Sequence, residues 1–280
     1  MAVVRIDLCG VRGSLPSPGP EFARVGGNTS CIALSHDGQQ PTLVLDAGTG
    51  LRRLSALLNG EAFRGTLIVG HLHWDHVMGI PFFPAGDRPD ASVRMMAPEQ
   101  GLDLLTLLER TMHPPLFPIR PTDLRGAWAF ETYGEGEFDL EGFTVTTREI
   151  PHTGGRTMGL RISDGRSTIA YLSDHAPHTV GPGADGLGDL HPAAVELATG
   201  VDVLFHDAQY SAEELPGHFT WGHAAAQYCV TRAEHCGVRT VMLFHHDPNR
   251  TDDQVDALAA TLHSELVEIR VAVEGDVIQL

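Results

Sequence analysis

The sequence predicts an α/β (α+β) fold in which two sheets pack face to face with helices on the outside. Three observations carry this. Short apolar runs of strand length recur from residue 3 to the C-terminus. Strands followed by helices come in two successive runs, the pattern of layered folds. A chain of 280 residues can bury the core that two sheets need and still form one domain.

In chain order, Val3–Cys9, Ser30–Ser35 and Thr42–Leu45 read as strands, and Gly48–Gly50 opens a helix over Leu51–Leu58. Thr66–Val69 is a short buried strand that delivers the chain into His71. Val93–Ala97, Phe143–Ile150, Met158–Ser163 and Ser167–Leu172 continue the strands, with Gly101–Arg110 helical between the first two. Alternation then becomes plainer. His191–Thr199 reads as helix, Val201–Phe205 as strand, His223–Cys236 as helix, Arg239–Phe244 as strand and Thr251–Glu265 as helix, before two final strands. His113–Glu137 is rich in Pro, Gly and aromatics without a sustained period, which suits a surface loop or lid. Within and beside it Met112, Pro115, Phe117 and Trp128 either line a pocket or form a local apolar cluster. No repeat at a fixed period divides the chain, so residues 1–280 are expected to form a single domain.

Composition narrows the function. No uninterrupted apolar stretch reaches the roughly 18 residues that a membrane-spanning helix requires. Met1–Gly10 lacks the basic start and long apolar run of a secretory signal, so a cytoplasmic location is expected. Cys9, Cys31, Cys229 and Cys236 form no Cys-X-X-Cys pair and read as small buried residues. All 19 basic residues are arginine, which excludes lysine Schiff-base chemistry and a P-loop. A net charge of −17 opposes long nucleic acid, whose binding draws on Lys and Arg, but bound divalent cations would still admit a small anionic substrate.

The 16 histidines are the unusual feature. Gly70-His71-Leu72-His73-Trp74-Asp75-His76 puts four potential metal ligands within six residues at the end of a buried strand. His71 and His73 project to one side of an extended segment, because side-chain direction repeats every two residues. Asp75 and His76 follow where the chain turns into a helix, which swings them toward a second ion. Imidazole with carboxylate is a donor set zinc favours, and manganese or iron are compatible with it.

This segment resembles the His-X-His-X-Asp-His signature of the metallo-β-lactamase superfamily, and the resemblance extends over most of the chain in order. It implies a four-layer αββα sandwich with two divalent metal ions at one edge between the sheets. By that resemblance His152, in Ile150-Pro151-His152-Thr153, is the third ligand of the first ion, and Asp174, in Tyr171-Leu172-Ser173-Asp174, the bridging carboxylate. The last histidine is His245 by matching position, although the adjacent His246 would face the opposite way on an extended strand. Asp46, in Leu45-Asp46-Ala47-Gly48, resembles an aspartate that orients a ligand histidine from behind, or it bonds its own turn. Val11-Arg12-Gly13-Ser14 and Gly26-Gly27-Asn28-Thr29-Ser30 resemble loops facing the site, where Arg12 meets a substrate anion or stays solvated.

Trp221-Gly222-His223-Ala224 and His206-Asp207-Ala208-Gln209-Tyr210 are similar to elements of the ribonuclease Z-like phosphodiesterase branch. That likeness gives His223 the role of protonating the leaving alkoxide, Asp207 that of orienting it, and counts Asp75 among the catalytic residues. The expected function is a binuclear hydrolase acting on a small, even cyclic-nucleotide, phosphodiester, with a hydroxide between two ions, Zn²⁺ by preference, as nucleophile. Ester or thioester hydrolysis of the glyoxalase or lactonase kind is one alternative, and a non-catalytic metal-binding or sensing protein another. The partners expected are a small anionic substrate and no membrane, with a homodimer left open.

Overall fold

Near-continuous apolar runs such as Leu43–Leu45 and Val203–Phe205 suit strands covered on both faces, and both become central strands. The computed structural model describes residues 4–280. Its first sheet holds β1 (Val4–Gly10), β2 (Cys31–His36), β3 (Leu43–Leu45), β4 (Arg64–Ile68), β5 (Ser92–Pro98) and β6 (Ala127–Tyr133) in that spatial order. The second holds β7 (Gly136–Leu140), β8 (Phe143–Ile150), β9 (Thr157–Ser163), β10 (Thr168–Leu172), β11 (Val203–Asp207), β12 (Thr240–Phe244) and β13 (Glu268–Val271). The last strand, β14 (Val277–Gln279), returns to the first sheet and pairs antiparallel with β1. The strand expected from Val3 begins at Val4; Val3 lies outside the described residues.

Side-chain parity separates the layers. Ile169 and Tyr171 of β10, Val203 and Phe205 of β11, and Met242 and Phe244 of β12 meet Ile6, Leu8, Ile32 and Ile68 of the first sheet in a core between the sheets. The alternate residues Ala170, Leu172, Leu204, Val241 and Leu243 face outward onto α4 (Pro192–Ala198) and α5 (Ala226–His235). On the far side Leu67, Val69 and Met95 pack against α1 (Leu51–Leu57) and α3 (Leu104–Glu109). Helix, sheet, sheet, helix is the four-layer order expected. Each such apolar side chain contributes roughly 1.5–3 kcal/mol on burial. All four cysteines are buried and unbridged.

Three expectations are corrected. The stretch 113–137 is not wholly loop, because Ala127–Tyr133 is edge strand β6, parallel to β5, and Gly136 starts β7. Its pattern is weak because one face of an edge strand stays open to water, leaving Trp128 and Phe130 half-buried and stacked on each other. The helix expected from His223 starts at Ala226. Gly222 takes a left-handed φ of 88°, and Tyr210 brackets Ala224–Ala226 with two backbone hydrogen bonds that hold Ala225 extended. Helix α6 (Asp252–Ala259), capped by Thr251 and Gln254, stops short of Glu265. There Ser264 turns to bond Glu234 at 2.6 Å and takes the amides of Leu266 and Val267.

Candidate metal centre

The sheets deliver chemistry at one edge. Beyond β4 come His71 and His73, then the one-turn helix α2 (Trp74–Val77) with Asp75 and His76. His152 follows β8, Asp174 follows β10, Asp207 ends β11, and His245 follows β12. These strand ends point the same way, since β10, β11 and β12 are parallel and β8 is two antiparallel steps from β10.

Two triads meet on Asp174. His71, His73 and His152 bring donor atoms within 4.8 Å of one another, and so do Asp75, His76 and His245. One Asp174 oxygen lies 3.8 Å from Nε2 of His71 and of His152 and 3.4 Å from Nε2 of His245; the other is 3.1 Å from His76 Nε2. Asp75 Oδ2 is 3.2 Å from His76 Nε2 and 3.1 Å from His245 Nε2. Donors sharing one tetrahedral ion at bond lengths of about 2 Å stand roughly 3–3.5 Å apart, so the spacing suits shared coordination. His76 Nε2, Asp174 Oδ2 and both ring nitrogens of His71 are buried yet make no hydrogen bond, the 3.1 Å approach of the first two included. Buried polar atoms are ordinarily paired, and these are oriented as converging ligands are. The residues present therefore fit divalent cations.

Charge is finely opposed. Burial pushes the His71 imidazole well below its ordinary pKa and His152 down to about 4. Burial also resists charge on His76 and His245, but the surrounding aspartates outweigh it, raising His76 well above the ordinary value and His245 to about 9. For Asp75 burial favours the neutral acid, yet His76 and His245 hold it well below the usual carboxylate range. Divalent cations held here would displace protons from His76 and His245.

Surrounding groups fix these side chains. Asp46 Oδ2 lies 2.6 Å from His76 Nδ1 and accepts from Tyr171 Oη at 2.6 Å, while Oδ1 accepts the Gly70 amide at 2.8 Å; it thus orients His76 and bonds its own neighbourhood. Gln209 Oε1 holds His245 Nδ1 at 2.9 Å, the Gly222 carbonyl holds His152 Nδ1 at 2.6 Å, and the Ser14 amide donates to Asp75 at 2.7 Å. Ser14, Asp46 and His245 all have positive φ, 62°, 62° and 57°, costly for residues with a side chain and concentrated at this site. That turn aims His245 at Asp75 and Asp174, whereas His246 bonds the Ala272 carbonyl at 2.9 Å. A Cβ on Gly13 would stand 2.3 Å from His245 Nδ1, so glycine lets this loop seat the ring.

His223 Nδ1 is 2.9 Å from Asp207 Oδ2, and Asp207 also takes the amides of His175 and Gln209. His223 stands within ligand range of His152 and Asp174 too. Arg12 matches neither expectation: it is wholly buried, donating to the carbonyls of Gly26, Asp247 and Arg250 and pairing with Asp252 at 3.3 Å. Pro115 is exposed and Trp128 bonds the Gly86 carbonyl, while Met112 and Phe117 line an apolar cavity beside Trp74. Tyr171 and Gln209 went unassigned in the sequence. Gln209 lies inside the quoted His206–Tyr210 segment, but nothing in its type marks it as a ligand's support.

A mixed His/Asp centre at one edge of an αββα sandwich defines a metallohydrolase class. Residues 42–246 match the family model described as Beta-lactamase superfamily domain. The chain is similar to ribonuclease Z of Natronomonas pharaonis, 22% identical over 95% of this chain and 81% of that protein. Among solved structures it resembles the metallo-beta-lactamase fold protein YhfI from Bacillus subtilis (TM-score 0.73, 16% identity, 100% of both chains). It also resembles a diphosphatase from the PhnP family (TM-score 0.71, 15% identity, 99% of this chain and 98% of that one). The chain belongs to the metallo-β-lactamase superfamily, on its ribonuclease Z-like branch, and is a metal-dependent hydrolase. No helix among the described residues is long and apolar enough to cross a membrane.

Proposed function

We propose that this chain is a binuclear phosphodiesterase acting on a small anionic diester. The observation that carries the reading is the pair of triads sharing Asp174, with the His223–Asp207 pair beside them. In it His71, His73 and His152 hold one cation, Asp75, His76 and His245 the other, and Asp174 serves both; the donors suit Zn²⁺. Bound there, divalent cations would lower the pKa of water from near 16 toward about 7 and offset charge on phosphoryl oxygens.

The chain's own groups do the rest. Asp75, held anionic, orients the attacking water. His223 directs Nδ1–H at the Asp207 carboxylate, which leaves Nε2 to hold the proton for the departing oxygen. As the new P–O bond forms opposite the leaving group, the old one breaks, that proton passes to the alkoxide, and a phosphomonoester and an alcohol result. Thr220, Trp221, Leu72 and Trp74 shield the cleft of about 670 Å³. Support for a phosphodiester comes from the ribonuclease Z relative, and support for a small one from the net charge of −17.

The test is elemental analysis of the preparation assayed against bis(p-nitrophenyl) phosphate and cyclic nucleotides. About two metals per chain with diester turnover is expected. Turnover of a thioester or lactone alone moves the reaction to a carbonyl, and failure to bind metal on reconstitution overturns the proposal.

A further inference from the structure

Trp74 stands between the ligands His73 and Asp75 and is 68% exposed, unusual for so large an apolar side chain. One of its surroundings is the metal cleft; the other is a separate cavity of about 210 Å³. Ile80, Phe82, Leu108, Met112 and Phe117 line that cavity, and its one hydroxyl, on Thr111, is turned toward the Leu108 carbonyl at 3.3 Å. Phe82 is 58% exposed, so this apolar wall opens to solvent. The cleft itself is lined by no arginine among the described residues. Its walls thus hold no permanent cation to pair with a second phosphate or a run of backbone phosphates, whereas the cavity on the other side of Trp74 offers apolar area.

We infer that the substrate is a diester with one apolar arm, alkyl or aryl, which seats in the cavity beside Trp74 while its phosphoryl group lies at the metal centre. This rests on the phosphodiesterase reading and adds what selects among diesters. Each methylene an apolar pocket removes from water is worth about fourfold in binding. Thr111, exposed at the cavity rim and distant in sequence from every ligand, is the position where a larger side chain fills the space without entering the centre.

The experiment compares methyl, hexyl and phenyl p-nitrophenyl phosphates, which share a leaving group and differ only in the retained arm. Metal-loaded protein is expected to turn over the hexyl and phenyl esters with kcat/KM at least tenfold above the methyl ester. Thr111→Phe should erase that preference. Independently of turnover, hexyl methylphosphonate should shift the tryptophan emission to the blue, methyl methylphosphonate should not, and Trp74→Phe should abolish the shift. Equal turnover of all three esters, or equal loss on all three in Thr111→Phe, overturns the apolar-arm inference alone. No turnover of any diester by protein of full metal content overturns the phosphodiesterase reading and this inference with it.

Discussion

Asp46 lies behind His76, with Oδ2 2.6 Å from His76 Nδ1, and in the proposed centre that contact would leave Nε2 for a cation. Asp46→Asn keeps the shape and removes the charge, so zinc affinity should fall by about 10–100-fold, the usual cost of losing such a partner; titration against a competing chelator measures it. His223→Ala should leave metal content unchanged, separating a proton donor from a ligand. It should slow methyl and other poor leaving groups more than p-nitrophenolate, and equal slowing removes the proposed donor. His206 makes a different prediction. It is buried, with Nδ1 2.8 Å from the Asp207 carbonyl and Nε2 3.1 Å from His175 Nδ1, and burial lowers its pKa to about 4. The unfolded chain takes up this proton near pH 6.5. Between these values the unfolded state binds more protons, so stability rises with pH, is complete above about 6.5, and declines toward 4 by up to about 1.4 kcal/mol per unit. His206→Asn should make Tm fall less steeply as pH drops through that window, and an unchanged slope would show that His206 does not contribute to it.

At the scale of elements, α2 is four residues long and cannot stand by propensity; contacts beneath it hold it in place. Gly79 follows its C-cap Met78, and an added Cβ there would come 1.9 Å from the Gly48 carbonyl oxygen. Gly79→Ala should push α2, with Asp75 and His76, off the turn after β3. A loss of about 1–3 kcal/mol and weaker zinc binding are expected, measured by thermal unfolding with and without zinc. Gly134→Ala, which has open space around it, should change neither. Such contacts explain what the sequence could and could not disclose. The bounds of Phe143–Ile150 are legible because buried and half-buried positions alternate from Phe143 to Arg148, and the cluster of His and Asp residues at 71–76 is legible because one strand end carries it. Strand β6 was hidden, since an edge strand needs little apolar patterning. The start of α5 was hidden because an extended bridge to Tyr210, formed between distant residues, decides it. Arg12 misled for the same reason: four acceptors at 26, 247, 250 and 252 come together only in the folded chain.

Across the whole molecule charge argues against long nucleic acid. There are 36 acidic residues against 19 arginines, and several arginines that reach solvent are already committed: Arg24 to Asp256, Arg94 to Glu131, Arg125 to Asp87, Arg148 to Glu196 and Arg156 to Glu149. Each such pair stabilises the fold little on its own, but it removes a cation from any phosphate-tracking stripe. Affinity for a polyanion grows with the number of phosphates neutralised, and every one adds close to a power of salt dependence. With no lysine and a net −17, that number should be near zero. Turnover of a small diester by metal-loaded protein should therefore be insensitive to a structured RNA competitor at about physiological salt. Lowering the salt should not reveal inhibition. Inhibition that deepens steeply as salt falls would instead show a basic track, and the substrate would then have to be sought among nucleic acids rather than small diesters.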